Sequence, residues 1–514
     1  MKPRHLCLAA ALVASSLLHA QHLDLLLRNG TVIDGSGAPA LNTDIGISGD
    51  RIIFIGACDK KPKTCQATRT LDATGLIIAP GFIDPHTHTA SDLSDPKRAQ
   101  NTPYLMQGVT TVATGNDGDS PTDIGATLSK WHQQGIGTNA VLFIGQGTVR
   151  SEVMQMSDAA PTPAQLNRMK ALVDTAMNEG AIGISTGLYY APGSYSSTEE
   201  VIALSKIVAQ QGGIYDTHMR DESSYTIGLL ASVKETIRIS REAHIPVMIS
   251  HIKALGADVW GQSSEVIALI DAARNEGLNV TASQYPYTAS GTSVTASLVP
   301  RWAETDGKLL QNVADPALHD RLYKEMNENL VRRGGADTLL MTSAKDKSIV
   351  GKNLAQIATE RHIDPITAAI QIIQAGGSNV ASFNMKEADI TAFMRQPWMM
   401  TCSDGSPGHP RKYGTFPRKI HEYVYEKHTI SLEAAIRSST SLTAETLGLK
   451  DRGLLKPGYF ADVVVFDPAT FKDNSTYEQP TLLASGVRYL TVNGKLAIDN
   501  GKLTSTLAGR PLKH

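Results

Sequence analysis

His86 and His88 stand two apart in FIDPHTHTASDL, inside an apolar, β-branched run. Alternate residues of a strand leave the same face, so both imidazoles point one way, and two imidazoles on one face can share a metal ion. The pair alone is a weak signal, because structural histidines account for it equally well. Three more residues of metal-binding type end other predicted strands: His218 closes GIYDTH, His251 closes MISH and Asp404 closes MMTCSD. Each alone reads as a satisfied core histidine or a helix cap. Together with His86 and His88 they read as one metal site. His132 and His244 fall in helical stretches and are assigned to the surface.

The stretch TVATGNDGDS, Thr111 to Ser120, adds a sixth candidate. It begins as an apolar strand and delivers Asp117 where the chain leaves the core. A bare carboxylate there costs several kcal/mol unless it is paired or coordinates a metal. Two readings stay open at this point: a metal ligand, or a capping aspartate in an Asn-Asp-Gly turn.

Such residues need a scaffold that brings several strand ends together. Between Phe82 and Asp404, eight short β-branched runs alternate with helical stretches: FIDPHTH, GVTTVATG, AVLFIG, AIGIST, GIYDTH, PVMISHIK, NVTASQYPY and WMMTCSDG. This alternation predicts an α/β fold, a (β/α)₈ barrel over residues 81–450, with the candidates at the C-terminal rim where barrel active sites form. VASFNM, from Val380, is a ninth strand candidate. The segment 299–364 is longer than a barrel loop needs and reads as an insertion between strands 7 and 8. The flanks, 21–80 and 451–514, are strand and glycine-turn sequences without helical spacers and predict one small β-sandwich built from both ends.

Composition narrows the class. The 514 residues carry 48 Lys and Arg against 50 Asp and Glu, so no long-range field selects nucleic acid. Residues 1–20, MKPRHLCLAAALVASSLLHA, have the basic start, apolar run and small final residue of a secretory signal, and the run is short for a spanning helix. A secreted or periplasmic protein is expected, with no stable membrane association once the signal is removed; an uncleaved anchor is the alternative. Cys58 and Cys65 enclose a Pro-containing turn and read as a disulfide or as two free thiols, while Cys402 sits in an apolar run and belongs to the core.

The set PGFIDPHTH, QGVTT, STGLYYAPG, THMRDES, SHIKALG, QYPYTASGTS, CSDGSPGHPRKYGTFPR and GLLKPGYFADVVVFDP resembles the D-aminoacylase (N-acyl-D-amino-acid deacylase) family of the amidohydrolase superfamily, in order and over nearly the whole mature chain. The resemblance implies a metal-bearing (β/α)₈ barrel with a terminal β-sandwich, one or two divalent ions with Zn²⁺ foremost, and a small N-acyl amino acid as substrate. It implies that His218 and His251 hold the tighter metal with position 117, and that His86, His88 and Asp404 mark the second site. Asp404 moves the proton from the attacking water to the leaving nitrogen. Arg411 grips the substrate's α-carboxylate, and Lys253, Tyr190, Tyr285 and Ser290 align with positions around the substrate. Where the family usually reads GNCG, with a metal-binding cysteine, this chain reads GNDG. Asp117 then becomes the bridging or single anionic ligand, a harder donor that relaxes the preference for Zn²⁺. AIGISTG has no lysine that could be carboxylated to bridge two metals instead. The export signal departs from the better-known cytoplasmic members. Hydrolysis of a dipeptide or cyclic amide, and a non-catalytic metal-binding or ligand-binding envelope protein, are the competing readings.

Overall fold

The computed structural model describes residues 22–58 and 65–514; the expected export signal, Cys7 included, lies outside them. The chain opens with strands β1 (Leu23–Val32), β2 (Leu41–Ser48), β3 (Arg51–Gly56), β4 (Ala67–Asp72) and β5 (Ile77–Pro80). β1 is their hub, antiparallel to β2 and parallel to β4 and β5. Cys58 and Cys65 form a disulfide between β3 and β4.

Parallel strands follow: β6 (Phe82–Asp84), β7 (Val109–Thr114), β8 (Asn139–Leu142), β9 (Ile144–Gly145), β10 (Gly183–Gly187), β11 (Ile214–His218), β12 (Val247–Ile249) and β13 (Val280–Gln284). β8 and β9 are one run interrupted at Phe143. Every residue of these strands is buried, as expected where helices cover one face of a parallel sheet and packed side chains fill the other. Helices such as Pro163–Glu179, Thr198–Gln210 and Leu229–Ala243 supply the cover, turning residues such as Val173, Val208 and Val233 inward.

Before the ring closes, the chain leaves it to form an antiparallel sheet of β14 (Ser290–Ser293), β15 (Leu339–Ala344) and β16 (Ser378–Ser382), with the helix His319–Arg332 and others packed on its own apolar core. This unit reaches beyond the expected 299–364 on both sides. The first half of the ninth strand candidate, VASFNM, lies in β16, the middle strand of that sheet, and not in the barrel. Strand β17 (Met399–Thr401) then pairs with β13. A parallel bridge between Thr87 and Gly405, and the Asp404 N–H donating to the His86 carbonyl at 3.0 Å, join the extensions of β17 and β6 and close the eight-stranded ring.

The last strands, β18 (Val463–Phe466), β19 (Val487–Val492), β20 (Lys495–Asp499) and β21 (Lys502–Leu503), return to the start of the chain, with β18 antiparallel to β5. The two ends make one nine-stranded sheet, and a bridge from Arg51 to Phe460 curls it over a core that includes Leu27, Ile45, Val463 and Val465. Cys402 is fully buried and unpaired. Among the described residues no helix is long and apolar enough to cross a membrane.

Candidate metal centre

The strands stop slightly short of the residues they present. β11 runs through His218, but β6 ends at Asp84, β12 at Ile249 and β17 at Thr401, so His86, His88, His251 and Asp404 stand on the turns just beyond. Asp117, His251 and Asp404 have φ of +57°, +35° and +47°. Non-glycine residues rarely hold this conformation, and it persists only where surrounding contacts impose it. For Asp117 the contacts are visible. A Cβ on Gly187 would come within 2.1 Å of the Asp117 carbonyl, and one on Gly118, itself at φ +75°, within 2.8 Å of the Gly187 nitrogen. Ser185 accepts from the Gly118 N–H at 3.1 Å. The lysine-free strand β10 is the bed on which the Asn-Asp-Gly turn lies.

All six candidates converge. Asp117 Oδ1 is 3.3 Å from His251 Nε2, 3.4 Å from His86 Nε2 and 3.7 Å from His218 Nδ1, while Asp117 Oδ2 is 3.5 Å from His88 Nε2. His218 Nδ1 and His251 Nε2 are 3.1 Å apart, as are His88 Nε2 and Asp404 Oδ1. Two donors bound tetrahedrally to one ion at about 2.0–2.1 Å stand about 3.3 Å apart, so these separations suit shared metal coordination. Donor atoms of His86, Asp117, His251 and Asp404 all lie within 4.8 Å of one another. Asp117 Oδ1 lies between the His218–His251 pair and His86. Through its two oxygens the carboxylate faces four histidines, His88 on the Oδ2 side.

The outer hydrogen bonds orient the rings. His86 Nδ1 meets Ser250 Oγ at 2.8 Å, and the Ser250 hydroxyl donates to Asp216. With its one hydrogen committed there, Ser250 accepts from His86 Nδ1–H, which leaves Nε2 as a bare lone pair. That Nε2 is buried and has no hydrogen-bond partner, as expected of a metal ligand. Glu222 plays the corresponding part for the other pair. Its Oε1 is 3.2 Å from His251 Nδ1 and its Oε2 is 3.7 Å from His218 Nε2, the ring nitrogens that face away from Asp117. Asp84 accepts from the His86 and Ser403 N–H groups at 3.2 and 3.1 Å, pinning both turns, and burial pushes its carboxyl up to about 7.

Charge in the cluster favours a cation. Burial opposes ionisation of Asp404, but Arg411 and then His251 outweigh it and hold the carboxyl far below its usual range; His86 and His251 do the same for Asp117. For His251, burial and Lys253 disfavour the charged ring, yet Asp404, Glu222 and Asp117 push it up to about 10. Glu222, buried beside Lys253, is held at about 2.

The five expected substrate residues line the same cavity, of about 710 Å³, which the inserted unit helps to wall through Thr342 and Asn379. Arg411 Nη1 lies 2.7 Å from Asp404 Oδ2, and its guanidinium stacks 4.6 Å over the Tyr285 ring. Lys253 donates to Glu222 at 2.6 Å. Tyr190 packs edge-on against His218 at 4.8 Å with its hydroxyl 3.4 Å from Thr292, and Ser290 bonds Asn384 at 3.2 Å.

The sequence profile described as the amidohydrolase family matches residues 69–308 and 371–498. The chain belongs to the amidohydrolase family. D-aminoacylase of Alcaligenes xylosoxydans xylosoxydans is 35% identical over 96% of this chain and 98% of its own length. A solved D-aminoacylase, studied for the role of its binuclear metal centre, is 34% identical with a TM-score of 0.82, covering 96% of this chain and 100% of its own. N-acyl-D-glutamate deacylase from Bordetella bronchiseptica, solved with zinc and a phosphonate mimic of the tetrahedral intermediate, is 30% identical with a TM-score of 0.82 over 96% of this chain and 100% of its own. The gap between the two profile segments, 309–370, falls inside the inserted unit of this amidohydrolase.

Sequence reasoning passes over Glu222, Asp84, Ser250 and Asp216. Glu222 sits four residues after His218 in THMRDES, a spacing that also describes any exposed helical pair. Its distinguishing feature, simultaneous approach to two histidines on different strands, exists only in three dimensions.

Proposed function

We propose that this amidohydrolase hydrolyses N-acyl-D-amino acids to the free D-amino acid and a carboxylate, using Zn²⁺ or another divalent ion held by His218, His251, Asp117, His86, His88 and Asp404. The observation that carries the reading is the cavity that holds this cluster beside Arg411. Zn²⁺ bound there would lower the pKa of its water to about 7 and would polarise an amide carbonyl. The protein's own part follows from its geometry. The Asp404 carboxylate, buried and held ionised, accepts the proton of the attacking water and returns it to the leaving nitrogen as the tetrahedral intermediate collapses. In the free enzyme Arg411 is paired with Asp404. An incoming α-carboxylate draws the guanidinium toward itself, a contact suited to its bidentate fork, and frees an Asp404 oxygen for the proton. Tyr285 sits beneath Arg411 and 5.8 Å from the Lys253 ammonium, supporting both cations through its ring face.

The D configuration rests on the relatives' substrates together with their 30–35% identity over nearly the whole chain. N-acetyl-D-leucine set against its carboxamide tests the α-carboxylate role. The wild type should prefer the acid by about 10-fold or more in kcat/KM, and Arg411→Ala should erase that preference through KM. Equal turnover of acid and carboxamide by the wild type, with ready opening of a cyclic amide, would move the substrate to cyclic amides.

The mature enzyme is proposed to work outside the cytoplasm. The first twenty residues and the Cys58–Cys65 disulfide support this, since disulfides persist in oxidising compartments. N-terminal sequencing of protein from the periplasmic fraction should begin at Gln21; intact protein retained in the cytoplasm would contradict export.

A further inference from the structure

Among the described residues four arginines are almost wholly enclosed, and three have carboxylate partners: Arg150 pairs with Glu200, Arg452 with Asp462 and Arg411 with Asp404. Arg333 is the exception. It is 2% exposed, and among the described residues it makes no ion pair. Its Nε donates to the Tyr225 hydroxyl at 2.6 Å and its Nη2 to the Tyr189 hydroxyl at 3.3 Å, both neutral acceptors, while its Nη1 is buried with no partner at all. An enclosed, uncompensated guanidinium is costly unless something anionic meets it.

Its placement says where that partner comes from. Arg333 caps the C-terminal end of the helix His319–Arg332 in the inserted unit, and the turn is fixed by the Gly335 N–H donating to the Leu330 carbonyl at 3.0 Å. From there it lines the catalytic cavity, as Arg411 does. The two belong to different walls: Arg411 stacks on Tyr285, whereas Arg333 is held by Tyr189 and Tyr225, and Tyr189 in turn stacks 5.7 Å from His218.

We propose that Arg333 is a specificity-determining residue that receives a second carboxylate on the substrate, so that the preferred N-acyl amino acid is a dianion. This rests on the deacylase reading above and narrows it. The second carboxylate has two possible sources, the amino-acid side chain or a dicarboxylic acyl group, and both present the same chemistry to Arg333.

Two matched pairs separate the sources: N-acetyl-D-glutamate against N-acetyl-D-glutamine, and N-succinyl-D-leucine against N-butanoyl-D-leucine. kcat/KM is measured for each on metal-loaded wild type, Arg333→Met and Arg333→Lys, with thermal melts to establish that each variant folds. In the wild type the charged member of at least one pair should be favoured about 10-fold or more, the scale of a charge-assisted contact. Arg333→Met should lose that preference whatever its absolute rates, and Arg333→Lys should keep part of it. Turnover with neither pair discriminated, or a preference that survives Arg333→Met, would overturn the proposal and leave the deacylase reading intact. If Arg333→Met fails to fold, the wild-type ratios and Arg333→Lys still decide. Failure of metal-loaded wild type to turn over any of the four would remove the deacylase reading and the proposal with it.

Discussion

Asp117 is the residue on which the proposed metal centre turns. Its carboxylate meets four histidines within 3.7 Å and holds a left-handed backbone to do so. Asp117→Ala should therefore lose bound metal and fall by about 100-fold or more in kcat/KM, measured by elemental analysis alongside kinetics. Asp117→Cys should keep the metal but shift selectivity toward Zn²⁺ over harder ions such as Mn²⁺, because a thiolate is the softer donor. Unchanged metal content in Asp117→Ala would reduce Asp117 to a turn residue. The ligand types were legible in the sequence because each follows a strongly patterned apolar run. The orienting groups Glu222, Ser250 and Asp216 were not, since a carboxylate or hydroxyl behind a ligand has no periodic signature and gains its meaning from a neighbouring strand.

At the scale of elements, eight β-branched runs were enough to indicate the ring, because full burial of parallel strands leaves uninterrupted apolar stretches. What period and composition did not separate was β16, equally apolar and β-branched but sheltered by the inserted unit's own core. Strand boundaries also shifted. The sequence extends β6, β12 and β17 to their metal-site residues, whereas the structure stops them two to four residues earlier, and the intervening turns aim the side chains. One element-level prediction concerns the support of β17. Lys419 is 3% exposed and donates to Thr401 and Ser438 hydroxyls at 2.7 and 2.9 Å. Burial pushes its pKa down to about 7 from 10.5, and the nearby Cys402 thiol acts the other way without offsetting it. Between those values the unfolded chain holds a proton that the folded chain lacks. Stability contributed at this position therefore rises with pH across the window and is least below about 7. Relative to Lys419→Met, denaturation of the wild type should show an added gain of up to about 1.4 kcal/mol per pH unit between pH 7 and 10. Parallel pH curves would contradict a neutral buried lysine.

The whole molecule is a barrel whose rim holds the cluster, an inserted unit that helps to wall the cavity, and a sheet that ties the two chain ends together through β5 and β18. The Cys58–Cys65 disulfide, across a separation of 7 residues, staples that sheet and not the rim. Replacing both cysteines by serine should cost about 2–3 kcal/mol by loop entropy while leaving kcat/KM within about twofold; a large loss of activity with unchanged stability would tie the sheet to the site. The central claim is that the cluster is a hydrolytic metal centre for N-acyl-D-amino acids. Its most direct test is free-amine release from matched N-acetyl-D and N-acetyl-L amino acids by the mature protein, before and after chelation. The account predicts turnover of the D form alone, abolished by chelator and restored by Zn²⁺; equal turnover of the L form, or none of either by the metal-loaded protein, would contradict it.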